Sequence, residues 1–235
     1  MQSAMKPLLL AIFCTLSLTA AAQWDNFHLK LDVFPNLSLP TSGPFSPGMD
    51  DRLPKFSGAL HLRLEWSLST HWAVETGLGY SNMGFGEKSR LRFGNQQGGQ
   101  GSFDPEQVGE AESLRLIYCS HALEAPLSIR YYLRPGRTRF YLSQGMAARV
   151  NLVQSNRQFL KGPDGRTEVD LAREADWEPF VLSTLTGAGV EFFTGEHTRL
   201  YVEPRLQVSF LRGELDGEAL RTTVLSPGVG VGVKW

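Results

Sequence analysis

Along most of the chain, apolar and polar residues alternate one for one. In RLYVEPRLQVSF, Arg199 to Phe210, the residues Leu200, Val202, Leu206, Val208 and Phe210 share one parity, and Tyr201, Glu203, Arg205, Gln207 and Ser209 share the other. Successive side chains of a β-strand point to opposite faces, so this stretch predicts a strand with one apolar and one polar face. ALHLRLEWSL sets Leu60, Leu62, Leu64 and Trp66 against His61, Arg63 and Glu65. WAVETGLGY sets Trp72, Val74, Leu78 and Tyr80 against Ala73, Glu75, Gly77 and Gly79, and EAPLSIRYYL sets Leu127, Ile129, Tyr131 and Leu133 against Ser128, Arg130 and Tyr132. PGVGVGVKW sets Val229, Val231, Val233 and Trp235 against Gly228, Gly230, Gly232 and Lys234. The pattern predicts eight strands, at about 25–34, 57–68, 72–83, 113–133, 138–153, 178–193, 198–212 and 221–235. No helical period competes with them beyond the N-terminal segment, so the fold class is all-β.

The connections between these segments are of two kinds. After strands 2, 4 and 6 they are tight: STH (69–71), RPGRT (134–138) and TGEHT (194–198). Pro135-Gly136 suits the centre of a type II turn, and Gly195 supplies a positive φ. After strands 1, 3 and 5 they are long and polar: PNLSLPTSGPFSPGMDDRLPK, GEKSRLRFGNQQGGQGSFDPEQVGEAE and SNRQFLKGPDGRTEVDLAREAD, with GELDGEAL after strand 7 intermediate. Strict alternation places every long loop at one end of an up-and-down meander and both termini at the other. An even strand count with short turns at one end and long loops at the other marks a transmembrane β-barrel, with short periplasmic turns and long extracellular loops. Loops above about 15 residues are uncommon in other compact domains. Aromatic residues near the strand ends (Trp66, Trp72, Tyr80, Phe140, Trp177, Phe210 and Trp235) fit the girdles of such a barrel.

The N-terminus agrees with export. Lys6 precedes the apolar run PLLLAIFCTLSLTAAA, and Ala20 and Ala22 fit an A-x-A cleavage site, so residues 1–22 read as a removed signal peptide and 23–235 as the barrel domain. Removing 1–22 leaves Cys119 as the single cysteine, so no internal disulfide forms. It also leaves 22 basic against 24 acidic residues, net −2, with no basic patch of the kind that binds nucleic acid. The remaining chain has no apolar run near 18 residues, which excludes a membrane helix but not barrel strands, whose alternation hides from hydropathy windows.

The segment LEAP (Leu123 to Pro126) followed by LSIRYYL, the G-x-G strand TGAGVEFF (186–193) and the following VEPRL, with Glu203 and Arg205, resemble the PorT-like outer-membrane β-barrel family of Bacteroidetes-type Gram-negative bacteria. The likeness spans the chain after the signal peptide. It implies an outer-membrane barrel, and for a few members of the family a link to protein secretion or gliding. Pro204 and the poorly patterned IYCSHA (117–122) depart from tidy strands and leave local register open.

With the apolar parity toward lipid, the other parity fills the barrel. It carries Asp32, Glu65, Glu75, Glu124, Glu191 and Glu203 against Lys30, Arg63, Arg130, Arg149, Arg205 and Lys234, six acids and six bases. An eight-stranded barrel is only wide enough for side chains to fill it, so this set predicts a packed structural network, not a selective pore. The opposite parity would put charged residues in hydrocarbon, at roughly 2–4 kcal/mol for each Arg near the midplane. Gly187, Gly189, Gly228, Gly230 and Gly232 share the lumen parity and leave room for facing arginine and tyrosine side chains. No G-x-G-x-x-G joins a strand to a helix, and His28, His61, His71, His121 and His197 lack metal-ligand spacing. The sequence therefore calls for no catalytic, cofactor or metal site. It predicts a non-enzymatic surface, scaffold or secretion-associated barrel, surrounded by outer-membrane lipid and meeting protein partners through loop tips such as GNQQGGQG (94–101) and GPDGR (162–166). Two other readings stand beside it: a soluble exported lipocalin-like barrel holding an apolar ligand, and a barrel hydrolase built on Ser120, His121 and Glu124. Strand neighbours point apart, which sets Ser120 against His121.

Overall fold

The computed structural model describes residues 26–42, 51–90, 113–134, 136–161, 167–169, 176–194, 198–215 and 218–235. Residues 1–22, expected from the sequence to be a signal peptide, and the loop tips 94–101 and 162–166 lie outside the described residues. Eight long strands form the body: β1 (Phe27–Ser42), β2 (Lys55–Ser67), β3 (Trp72–Arg90), β4 (Ser113–Tyr132), β5 (Thr138–Lys161), β6 (Phe180–Phe193), β7 (Arg199–Leu215) and β8 (Glu218–Lys234). Each pairs antiparallel with its sequence neighbour, and β8 returns to pair with β1, from Lys30 opposite Lys234 to Ser42 opposite Thr223. Closure removes both sheet edges, so every ladder has a partner on each side. Three short strands extend the wall at the loop end: Asp51–Leu53 on β3, Thr167–Val169 on β5 and Asp176–Trp177 on β7.

The two faces are inverted relative to a soluble protein. The leucines at 60, 62 and 64, with Val202, Leu206 and Phe210, point outward and are exposed, whereas Glu65, Tyr201, Glu203 and Arg205 are buried inside. A lipocalin-like interior of leucine and valine is thereby corrected: alternation alone could not say which face was enclosed, and the closed wall turns the polar one inward. The outward apolar row runs from Phe56 to Trp66 on β2 and from Leu200 to Phe210 on β7. Ten residue steps at ~3.3 Å, tilted by about 40°, make a band roughly 25 Å tall, the height of an outer-membrane hydrocarbon layer. Phe27 stacks on Trp66 at 5.7 Å and Trp72 packs on Tyr131 at 4.7 Å, beside Phe140 and Trp235 at the end that holds the termini.

The strands outrun their expected limits at the loop end. β1 continues from 34 to 42, β3 from 83 to 90, β5 from 153 to 161, and β7 and β8 together take up nearly all of GELDGEAL. Pro35, Pro40, Gly84 and Gly86 read locally as loop, but each lies opposite a residue of a neighbouring strand (Gly58, Val224, Cys119 and Ile117), and that pairing overrides local preference. The irregular stretch at 117–122 has a definite register. Opposite it, Leu152 on β5 is a one-residue bulge, since His121 faces Val153 and Ala122 faces Asn151. Pro204, exposed on the outer face, interrupts the β6–β7 pairing at 203–204 without shifting its register, while the β8 side stays continuous.

Candidate functional site

The interior is filled from the terminus end upward by charge. Register places Lys30 of β1 directly opposite Lys234 of β8, and Glu65 of β2 directly opposite Glu75 of β3. Like charges in direct opposition destabilise a sheet, and here each pair is separated by its opposite. Lys30 Nζ lies 3.1 Å from Glu65 Oε2 and 2.9 Å from Glu75 Oε2, and Lys234 Nζ donates to Glu65 Oε1. Glu191 joins them, 3.5 Å from Lys234 and 3.9 Å from Lys30, with Arg199 3.4 Å away at the rim. The Tyr132 hydroxyl sits 2.9 Å from both Glu65 Oε1 and Glu191 Oε1.

Arg130 is the hub above this floor. Its guanidinium lies 3.0 Å from Glu75, 2.8 Å from Glu203 and 3.3 Å from Glu191, over the Tyr141 ring at 4.2 Å. One level higher, Asp32 takes Arg63 at 2.8 Å, Arg205 at 3.0 Å and the Tyr201 hydroxyl at 3.0 Å. His61 bridges upward, with Nδ1 3.3 Å from Asp32 and Nε2 3.3 Å from Glu124. Glu124 then meets Arg149 at 3.5 Å and accepts from Gln207 at 3.4 Å. Paired serines follow (Ser38 with Ser57, Ser183 with Ser209), and an apolar cluster of Met83, Phe85, Tyr118, Val181, Leu211 and Val224 fills the loop end.

All twelve charged residues expected in the lumen are buried there: Lys30, Asp32, Arg63, Glu65, Glu75, Glu124, Arg130, Arg149, Glu191, Glu203, Arg205 and Lys234. The contacts join them into one connected network of equal acids and bases. Among the described residues the network also takes in His61, Tyr132, Tyr141, Ser143, Arg199, Tyr201 and Gln207, which the count of lumenal charges does not include. Parity was the available signal for most of them, since Tyr132 lies on the face of Arg130, Tyr201 on that of Glu203, and His61 on that of Arg63. The glycines complete the packing. A methyl at Gly189 would enter the Tyr141 ring, one at Gly232 would reach the Tyr201 hydroxyl at 2.5 Å, and one at Gly187 would meet Glu203 Oε1 at 2.5 Å.

The hydrolase constellation is not assembled. Ser120 is buried in the lumen, His121 lies on the outer wall hydrogen-bonded to Tyr80, and Glu124 faces inward in ion-pair contact with Arg149. Among the described residues no group of three or more His, Cys, Asp or Glu side chains is placed to hold a metal ion.

A closed eight-stranded wall, apolar outside over a membrane-high band and charged inside, defines an integral membrane β-barrel. The chain belongs to the outer membrane protein β-barrel domain family, whose model matches residues 22–211, and its place is the cell outer membrane, embedded in lipid. No curated protein matches the sequence. Solved structures similar to it include Neisserial surface protein A, at 11% identity over 87% of this chain and 96% of that chain with a TM-score of 0.37. OprG from Pseudomonas aeruginosa is similar at 12% identity over 89% and 96%, TM-score 0.43. The outer membrane protease OmpT from Escherichia coli is similar at 7% identity over 90% and 96%, TM-score 0.35.

Proposed function

We propose that this protein is a non-conducting, non-enzymatic outer-membrane scaffold whose recognition surface is its loop end, related to the PorT-like barrels through LEAP, TGAGVEFF and VEPRL. The observation that carries this reading is the filled lumen. Among the described residues every buried lumenal carboxylate is engaged by a cation, a tyrosine or a histidine of the wall itself, and the apolar cluster lies at the loop end of the interior. A pore needs free charge and water along its axis, and a hydrolase needs a nucleophile beside its base; this interior offers neither arrangement. Specificity then falls to the connections that follow Ser42, Arg90 and Lys161, strand ends that share one end of the barrel. The network serves as a strut: an arrangement satisfied only in one register disfavours every slipped pairing.

The test is proximity labelling in intact cells, with the wild type compared with a chain lacking 94–101. Loss of a discrete set of labelled envelope proteins, with the deleted protein still showing heat-dependent gel migration, supports the scaffold. An unchanged labelled set counts against it.

A further inference from the structure

The outer wall of β1–β5 departs from a smooth lipid-facing surface. Pro35 and Gly58 carry no long side chain, and with Val33, Phe56, Leu60 and Tyr80 they border a groove of about 310 Å³. At its upper margin the Asn82 side chain accepts from Gly58 N at 2.7 Å, and Tyr80 is bonded to His121. Directly above, Lys55 reaches across the outer face: its Nζ donates to Cys119 Sγ, and its chain lies where a side chain at Gly84 would stand.

Above Lys55 the same face carries three cations on three neighbouring strands. Register sets Lys88 of β3 directly opposite Arg115 of β4, and Arg157 of β5, opposite Ile117, is diagonal to Arg115. Arg115 and Arg157 are exposed and Lys88 is half-exposed. Inside the barrel every opposed like-charge pair has a counter-charge between its members. Among the described residues none makes an ion pair with Lys88, Arg115 or Arg157, although Asp51 stands opposite Lys88 in the ladder. Three cations thus share this face with one acid in register, and an opposed like-charge pair is relieved when an external anion occupies it.

The heights match a lipid. Lys55 Nζ, level with Gly84, is two residues above Asn82, about 5 Å of height at a tilt of about 40°. Lys88 is four residues higher again, roughly 10 Å. We infer that this wall binds one phosphorylated glycolipid of the outer leaflet, an acyl chain lying in the groove under Phe56 and Tyr80, a phosphate at Lys55, and further headgroup anions at Lys88, Arg115 and Arg157. Phosphatidylglycerol has the acyl chain and one phosphate but no second anionic group to reach the upper cations, whereas a glycolipid bearing several phosphates on its sugars reaches both levels.

The experiment uses the full barrel folded in detergent and native mass spectrometry with three probes: bisphosphorylated lipid A, its fully dephosphorylated form, and phosphatidylglycerol. Gly58→Leu fills the groove, and the glycine is open enough for it, since an added Cβ meets its nearest neighbour, the Phe34 carbonyl oxygen, at 3.5 Å. K88Q/R115Q/R157Q removes the upper cations. The wild type retains bisphosphorylated lipid A at least tenfold better than either other probe. G58L weakens binding of both lipid A forms about tenfold, and the triple variant erases the preference for phosphates, about a hundredfold at roughly 1 kcal/mol per cation. Heat-dependent migration verifies that both variants are folded. Equal retention of phosphatidylglycerol and lipid A, or unchanged lipid A binding in both variants, overturns the assignment.

Discussion

Arg130→Met removes the hub of the lumen while keeping its bulk. The guanidinium is fully buried and touches Glu75, Glu191 and Glu203 at 3.0, 3.3 and 2.8 Å. At 3 Å and an effective dielectric constant near 20, each contact is worth about 5 kcal/mol of gross attraction, much of it offset by the cost of stripping water from the ions. The substitution leaves six buried acids facing five bases. Breaking one member of a buried network costs about 3–5 kcal/mol, a large part of the 5–15 kcal/mol that typically separates folded from unfolded states. Adding Glu203→Gln restores the balance at five and five, so the double variant should recover about 2 kcal/mol of that loss, and the double-mutant cycle should return a coupling of at least about 1.5 kcal/mol. The assay is guanidinium unfolding of the barrel in lipid vesicles, followed by tryptophan emission and checked by heat-dependent migration. A single variant within about 1 kcal/mol of wild type, or strictly additive effects, would refute the network as a coupled unit.

The remaining expectations are simpler. In planar bilayers the protein shows no sustained ion current, and a steady open channel would contradict the filled interior. Gly189→Ala pushes a methyl into the Tyr141 ring and destabilises by about 1–3 kcal/mol; Tyr141→Leu in the same chain should restore part of the loss in the unfolding midpoint. Leu62→Arg, half-exposed on the lipid face near mid-band, lowers stability by roughly 2–4 kcal/mol in vesicles. The same change at Thr70, exposed in the turn between β2 and β3 with its hydroxyl against the His71 ring, moves it by less than about 0.5 kcal/mol. Tolerance of arginine at both sites would mean that the outward face does not meet hydrocarbon.

Much of this architecture was legible along the chain because a strand's period of two assigns each residue to a face. Lys30, Glu75, Arg149 and the other nine lumenal charges follow from counting, and so do the glycines that oppose Tyr141 and Tyr201. The strand ends were harder. Pro35, Pro40 and Gly86 carry the local marks of loops, yet they lie in ladders because neighbouring strands hold their backbones. The bulge at Leu152 left no mark beyond a weakened alternation in the facing strand. Lys55 carries the local marks of a loop end, and only the gap left by Gly84 shows that its side chain crosses to the outer face.

Alternation and the rhythm of long and short connections determined the number of strands, their direction and the contents of each face, because these depend only on local geometry and on residues close in sequence. Tertiary structure decided which groups meet. Lys234 with Glu65, Tyr201 with Asp32, and the unbalanced opposition of Lys88 and Arg115 depend on register and on the closure of β8 against β1. A strand's sequence sets where a side chain points. What stands opposite it is set by the neighbouring strand and by the stagger with which the barrel closes.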